Sequence, residues 1–308
     1  MQSIFEQKIK IGISACQFGS KVRYNGKGRD MLQNLGRDRS EFIWTPVCPE
    51  LTAGMGVPRA CIKLSKGNGI DFWNGEAIVK NKEGKDVSSW IKKGSISCME
   101  TLERAEIDVF IFMEGSPSCG VYRTSLKNQR LGNPPGTFGA LLLQKDIFLI
   151  PSVDLQSPIR WWDWKRRMVV FIWLKKQEIN NEIDLKEMWK RVSYICHELS
   201  EVETSKIKHE IAKIYVSKNN QPESYSKVKK QILDLLRRPA EMEMIKKWLW
   251  KNYIHLKERE GVIAEDILEP DILRNMTHVL EEILSIEKKV REKNISFRSS
   301  PINYKPKR

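Results

Sequence analysis

The sequence has no long uninterrupted hydrophobic run. Its longest apolar runs, at residues 109–113 and 168–173, are far shorter than the roughly 20 residues that a membrane-spanning helix needs. The first residues also lack the basic, apolar and small-residue pattern of a secretion signal, because they lead directly into a strand-like run. We therefore expect a cytoplasmic protein without a membrane partner.

Cysteine and histidine are scarce for a chain of 308 residues. The six cysteines contain no CxxC pair, and they are too few and too scattered for a disulfide framework. The four histidines all lie in the second half and lack the paired spacing of a histidine zinc site. Any metal site is therefore expected to use thiols brought together by the fold.

Acidic residues are too few to balance the basic ones. The formal net charge is +14, and more of the excess lies after residue 155 than before it. Such a charge favours an anionic partner, from a nucleotide to structured RNA, but it also fits a lysine-rich solvated surface. Charge alone leaves both interpretations open.

The pattern of apolar residues changes near residue 155. Short apolar runs separated by glycine, proline and asparagine predict alternating strands and helices up to that point. They include a helix from about Val87 that buries Trp90, Ile91, Ile96, Met99 and Leu102. We predict a small α/β domain at 1–155, Rossmann-like with a mainly parallel sheet. Apolar residues at helical spacing predict an all-helical basic domain at 156–293, and the basic segment 294–308 is expected to be a loose tail.

Three cysteines each follow a predicted strand. Cys16 follows "KIGISA", Cys48 follows "FIWTPV", and Cys119 stands in "GSPSCG" shortly after "IDVFIFME". Ligands of parallel α/β sheets bind beyond the carboxyl ends of the strands, so these thiols are expected to converge there. Three thiolates could hold an iron–sulfur cluster or a zinc ion, but buried cysteines are also common as small apolar residues.

The sequence around these cysteines resembles the thiouracil desulfidase (TudS-like) family over residues 9–152. The shared motifs, in order, are "CxxGxxVRYNG", "PVCPE", "GVPR" and "SPSCG", with weaker likeness at "AIVKNKEGKDVS" and "GTFGALLL". The resemblance implies a 4Fe-4S cluster held by Cys16, Cys48 and Cys119, with the fourth iron open to bind the substrate sulfur. It also implies Glu50 and Ser116 as catalytic groups. The reaction implied is hydrolytic removal of sulfur from 4-thiouracil, its nucleoside or its nucleotide.

Each catalytic candidate also has an ordinary structural interpretation. Glu50 could cap the turn that follows it, and Ser116 could close its loop by bonding to the loop's own backbone. Ser118 has no predicted role beyond closing that turn.

The segment "VRYNG" supplies candidates for substrate binding. Arg23 is a fixed cation, Tyr24 a stacking face and Asn25 a paired donor and acceptor, which together suit a pyrimidine or its phosphate. The family usually has aspartate where this chain has Asn25, so a carboxylate role at that position is in doubt. Arg59 is a second candidate anion contact, although a salt bridge that holds its loop is an equal alternative.

A second hypothesis makes the chain a metal-bearing RNA-binding protein whose basic helical domain recognises thiolated tRNA. The segment "WWDWKRR" at 161–167 interleaves aromatic and basic residues, as single-stranded nucleic-acid sites do. The same spacing also describes a buried face with Trp161 and Trp164 in the core, and with Arg160, Lys165 and Arg166 on the surface. A third hypothesis is that the three thiolates hold a structural zinc ion.

Overall fold

The computed structural model describes residues 3–125, 133–217 and 222–307. The chain divides into two compact units, Lys8–Ser157 and a second unit formed by Met1–Gln7 with Pro158–Arg308. We call them the α/β domain and the helical domain. The predicted fold class, a mainly parallel α/β domain followed by helices, is confirmed.

The strands and helices are numbered along the chain. The strands are β1 (Ser3–Phe5), β2 (Ile9–Ser14), β3 (Phe42–Val47), β4 (Ile62–Ser65), β5 (Ile78–Asn81), β6 (Val109–Phe112), β7 (Phe148–Pro151) and β8 (Ile302–Tyr304). The helices are α1 (Pro49–Thr52), α2 (Gly69–Trp73), α3 (Ser88–Arg104), α4 (Thr137–Gln144), α5 (Pro158–Lys175), α6 (Glu182–Leu199), α7 (Glu201–Ser217), α8 (Pro222–Leu236), α9 (Met242–Glu260) and α10 (Met276–Glu292).

The α/β domain is built on a four-stranded sheet in the order β3-β2-β6-β7, and all its pairs are parallel. Ile11 of β2 pairs with Trp44 of β3 on one side and with Val109 of β6 on the other. The central strand β2 is mostly buried, which explains its continuous apolar sequence. Because the strands are parallel, the segments after β2, β3 and β6 all leave the same edge of the sheet.

Helix α3 supports the segment that follows β3. A Cβ atom at Gly94 would lie 2.1 Å from the carbonyl oxygen of Pro49, so glycine there allows α1 to lie directly against α3. The thiol of Cys98 lies 3.5 Å from the hydroxyl of Thr52 across the same contact. Helix α3 buries Ile91, Met99 and Leu102 as predicted, but the prediction is wrong for Trp90 and Ile96, which are 44% and 42% exposed.

The helical domain contains, within its described residues, six helices and a short parallel pairing of β1 with β8. It is therefore not purely helical. The predicted domain limits also differ from the structure, because β1 belongs to the helical domain rather than to the first domain. The segment 294–308, predicted to be a loose tail, contains β8 and buries Phe297, Ser299 and Ile302.

The aromatic and basic segment 161–167 lies in α5 and contributes to the core. Trp161 and Trp164 are buried as predicted, but Arg166, which was predicted to lie on the surface, is 4% exposed. Its guanidinium group pairs with Asp163 at 2.8 Å and with Glu198 of α6. Among the described residues, no helix is both long and apolar enough to cross a membrane.

Candidate metal centre

The three cysteines that follow the strands lie at the same edge of the sheet. Cys16 sits in a 3-10 helix directly after β2, and Cys48 is the N-terminal capping residue of α1 directly after β3. Cys119 lies in the loop after β6, the other neighbour of β2. The predicted arrangement, one thiol beyond each of three adjacent strands, is therefore observed.

The loop that carries Cys119 rests on the N-terminus of α4. The backbone N–H groups of Thr137 and Phe138 donate to the carbonyl oxygens of Pro117 and Ser118, at 3.1 and 2.9 Å. A Cβ atom at Gly139 would lie 2.2 Å from the carbonyl oxygen of Gly120, too close for any side chain. The glycines of "GTFG" therefore allow α4 to hold the thiol-bearing loop through direct backbone contact.

The three thiols share one electrostatic environment. Burial raises the pKa of Cys16, Cys48 and Cys119, and the negative charge of Glu50 raises the pKa of each one further. For Cys119, the sulfurs of Cys48 and Cys16 also raise the pKa. Neighbouring thiolates whose pKa is raised by burial and by one another need a compensating positive charge, which a bound metal centre supplies.

Two polar side chains contact the sulfurs from the side of the sheet. The Nε2 atom of Gln17 donates to the Sγ atom of Cys16 at 3.5 Å, and the hydroxyl of Ser152 donates to Oε1 of Gln17 at 3.1 Å. The hydroxyl of Ser14 hydrogen-bonds the thiol of Cys119 and lowers its pKa against the effect of burial. The sequence interpretation missed these residues. Ser14 and Gln17 could have been suspected as polar neighbours of Cys16, whereas Ser152 is too distant in sequence to give a signal.

Glu50 is held by partners on both of its carboxylate oxygens. The Nη2 and Nε atoms of Arg59 donate to Oε2 at 2.6 and 2.9 Å, and the hydroxyl of Ser118 donates to Oε1 at 2.7 Å. The side chains of Glu50 and Arg59 are only 14% and 5% exposed. Arg59 also donates to the carbonyl oxygens of Val22 and Gly56. Arg59 was considered either as an anion contact or as a salt bridge that holds its loop. Its observed contacts are those of the salt bridge.

The hydroxyl of Ser116 takes part in the turn of its own loop. It accepts from the backbone N–H of Cys119 at 3.1 Å and lies 3.0 Å from the hydroxyl of Ser118. Ser116 therefore closes its own loop, as one of its two interpretations predicted. Its hydroxyl also reaches Glu50 indirectly, through the hydroxyl of Ser118.

The loop with Arg23, Tyr24 and Asn25 borders the thiols. The positive charge of Arg23 lowers the pKa of Cys16 against the effect of burial, and its guanidinium carbon lies 6.0 Å from the centre of the Tyr24 ring. The Tyr24 ring is 42% exposed and can accept a stacking partner. The side-chain oxygen of Asn25 accepts from the N–H of Lys27, so it serves the local turn.

Over the residues that the structure describes, no group of three or more histidine, cysteine or acidic side chains converges on a single metal ion. In an iron–sulfur cluster each thiolate binds its own iron, so the three sulfurs need not meet at one point. Three thiols in a partly buried site, with hydrogen-bond donors beside Cys16 and Cys119, are a donor set that such a cluster takes. The residues present therefore fit a three-cysteine cluster.

The fold and the site define a class: a parallel α/β protein with a thiol-lined ligand site beyond the carboxyl ends of its strands. Residues 11–154 match the model of the 2-thiouracil desulfurase family. This match agrees with the family resemblance that the motifs of the α/β domain predicted, while the helical domain lies outside the match.

Comparison with individual proteins adds one solved structure. The chain is 26% identical to the 4Fe-4S-dependent thiouracil desulfidase TudS, with 48% of this chain and 93% of that chain covered and a TM-score of 0.40. No curated protein matches the chain.

Proposed function

We propose that the α/β domain binds a 4Fe-4S cluster through Cys16, Cys48 and Cys119, and that it removes sulfur from a thiolated pyrimidine. The substrate would be 4-thiouracil, its nucleoside or its nucleotide, and the products the oxo base and sulfide. The observation that carries the proposal is the set of three thiols at adjacent strand ends, of which Cys119 is buried and Cys16 and Cys48 are half-buried, and the negative charge of Glu50 raises the pKa of each. When bound, the cluster supplies an iron without a protein ligand, a Lewis acid suited to a thiocarbonyl sulfur.

The protein's own residues supply the proton transfers. In a hydrolytic reaction the oxygen of water adds to the ring carbon, the C–S bond breaks, and the protons of water leave with the sulfide or to solvent. Glu50 is the carboxylate beside the three thiols, so it is the group we assign to accept a proton from the attacking water. Ser116, whose hydroxyl contacts that of Ser118 and through it Glu50, is assigned to keep the carboxylate in place for this step.

Substrate binding is assigned to the loop at 23–25. Tyr24 offers an exposed ring for stacking on a pyrimidine, and Arg23 supplies a positive charge near Cys16 for the ring oxygen or a phosphate. Asn25 and Arg59 hold the loop instead, because their polar atoms already have partners within it or in the adjacent segment.

Anaerobic reconstitution with iron and sulfide tests the proposed function. We expect about four irons per chain, and loss of the long-wavelength absorption band of 4-thiouracil on incubation with the loaded protein. Cys119→Ala should lose both the bound iron and the turnover of 4-thiouracil. Cys61→Ala, which alters an exposed thiol of the same domain, should keep the iron and the turnover. A fully loaded protein that turns over no thiopyrimidine would refute the proposal. Metal analysis that finds zinc instead of iron would favour the structural-zinc hypothesis.

RNA binding by the helical domain is not supported. The segment that suggested it directs Trp161, Trp164, Arg166 and Arg167 into the core of that domain. Its arginines are occupied by buried ion pairs with Asp163 and Glu198 rather than presented to a phosphate.

A further inference from the structure

Ser118 stands between the two residues assigned to the reaction. Its hydroxyl donates to Oε1 of Glu50 at 2.7 Å and lies 3.0 Å from the hydroxyl of Ser116. Its side chain is almost fully buried, with 1% of the residue exposed. Solvent therefore competes little with either hydrogen bond.

The direction of this hydrogen-bond chain follows from counting protons. A serine hydroxyl has one proton to donate, and that of Ser118 is used on the carboxylate of Glu50. In the contact between the two serines, Ser116 must then be the donor and Ser118 the acceptor. Ser116 can act as donor because its oxygen accepts only backbone N–H groups, those of Cys119 and Ser118.

The remaining contacts of the carboxylate complete the arrangement. Arg59 donates to Oε2 of Glu50 and Ser118 donates to Oε1, so the two residues together fix the orientation of the carboxylate. Loss of the Ser118 hydroxyl would leave Oε1 without its partner and would disconnect Glu50 from Ser116. The backbone contacts of Ser118, in which its carbonyl oxygen accepts from Phe138 and Gly139, do not depend on its side chain.

We propose that Ser118 is a positioning residue that joins Glu50 and Ser116 into one hydrogen-bonded unit, an inference that rests on the proposed desulfidase function. Ser118 is assigned to act through Glu50; its hydroxyl also lies 3.9 Å from the Sγ atom of Cys119, so the iron content of its variants shows whether it acts through that ligand instead. Two consequences follow: its removal lowers kcat without weakening substrate binding, and its effect disappears when Glu50 is already replaced.

The test compares the reconstituted wild-type chain with Ser118→Ala, Ser118→Thr, Glu50→Gln and the Ser118→Ala/Glu50→Gln double variant. We expect Ser118→Ala to keep its iron and to lose roughly tenfold or more in kcat with KM changed less than about threefold. Ser118→Thr, which retains a hydroxyl, should recover part of that loss. In the Glu50→Gln chain, adding Ser118→Ala should cost less than about twofold.

Ser95→Ala is the matched control, because Ser95 is equally buried in α3 of the same domain and lies outside the candidate metal centre. It should behave as wild type. An equal loss from Ser118→Ala with and without Glu50 would overturn the inference, as would wild-type kcat or loss of iron in Ser118→Ala.

A crystal structure of Ser118→Ala adds a measurement that does not depend on activity. We expect the Glu50 carboxylate to move away from its wild-type position, and an unmoved carboxylate would overturn the positioning role. Absence of turnover in the wild type refutes the proposed function itself, so the two failures are distinguishable.

Discussion

The side chain of Arg59 contacts three separate segments at the candidate metal centre. Its guanidinium group donates twice to Oε2 of Glu50, and also to the carbonyl oxygens of Val22 and Gly56. It therefore fixes the carboxylate and the loop before Tyr24 at the same time. A planar group with several donors in a fixed geometry can do this, whereas a lysine ammonium cannot.

Replacement of Arg59 by lysine should consequently impair the reaction although the charge is kept. Hydrogen bonds to charged groups contribute about 1.5–3 kcal/mol each, so loss of one or two predicts a decrease in kcat/KM of about 10- to 100-fold. Steady-state kinetics of the reconstituted variant measures this decrease. Arg37→Lys, at an exposed position of the same domain, is the control and should be neutral. Wild-type kcat/KM in Arg59→Lys would contradict the assigned contacts.

For the site, the sequence offered candidate residues but not the contacts between them. The cysteines, Glu50 and Ser116 stand in ordered motifs, so they could be proposed without a structure. The contact of Ser118 with Glu50 joins residues 68 positions apart and depends on the approach of two loops. Local sequence carries no signal for such a contact.

Among the strands and helices, those of the α/β domain were the most predictable. Strands β2, β3 and β6 are short apolar runs with turn residues after them, and burial explains this composition. The errors at Trp90 and Ile96 of α3 have a different origin. Apolar spacing indicates that a helix has a buried face. Which residues lie at the edge of that face, and so stay exposed, depends on how wide the layer packed against the helix is.

Helix α4 contributes to the site mainly by its closeness to the Cys119 loop. Gly139→Ala introduces a Cβ atom 2.2 Å from the carbonyl oxygen of Gly120, and because that oxygen belongs to the backbone, the loop must shift. We expect the variant to fold, since alanine favours helix more than glycine, but to bind clearly less iron after reconstitution.

Iron analysis and the visible absorption spectrum of Gly139→Ala measure this loss. Leu143→Ala on the exposed face of the same helix is the control and should take up iron as the wild type does. Full iron content in Gly139→Ala would show that the close approach of α4 is not needed to present Cys119.

Asp163 of α5 forms buried ion pairs with Arg166 and Arg167 of the same helix, and Arg166 in turn pairs with Glu198 of α6. Burial alone would raise the pKa of this carboxyl, but the guanidinium groups of Arg167 and Arg166 outweigh it and hold the pKa below its ordinary value. Because the pKa is lower in the folded than in the unfolded chain, the stabilisation is fully present above about pH 4. It is lost as the pH falls through the folded-state pKa.

Asp163→Asn should therefore destabilise the helical domain at neutral pH by about 3–5 kcal/mol, because it leaves two buried cations without their shared partner. The difference from wild type should shrink in strong acid. Denaturant unfolding followed by tryptophan fluorescence at pH 7 and pH 3 measures both values. Asp234→Asn, which removes an exposed carboxylate 49% accessible to solvent, should cost less than about 1 kcal/mol. Equal effects of the two substitutions would contradict a stabilising role for the buried pairs.

Across the whole chain, the organisation of the helical domain was the least predictable feature. Ser3–Phe5 pairs in parallel with Ile302–Tyr304, so the two ends of the sequence meet in a single small sheet. Each strand has three residues, too few for a periodic pattern, and the partners are separated by nearly the whole sequence. Composition predicted a loose basic tail because lysine and arginine surround β8. The strand is nevertheless ordered, and its Ile302 side chain is buried.

Substitution of Ile302 distinguishes an ordered strand from a loose tail. The side chain is 3% exposed, so Ile302→Asp places a carboxylate in an apolar environment and should destabilise the helical domain by about 3 kcal/mol or more. Asn303→Asp introduces the same charge at the next residue, which is partly exposed, and should be nearly neutral. Thermal unfolding of the two variants, followed by circular dichroism, measures the difference. A loose tail would tolerate both substitutions equally, whereas a strand that closes the domain makes the effect depend on which face of the strand receives the charge.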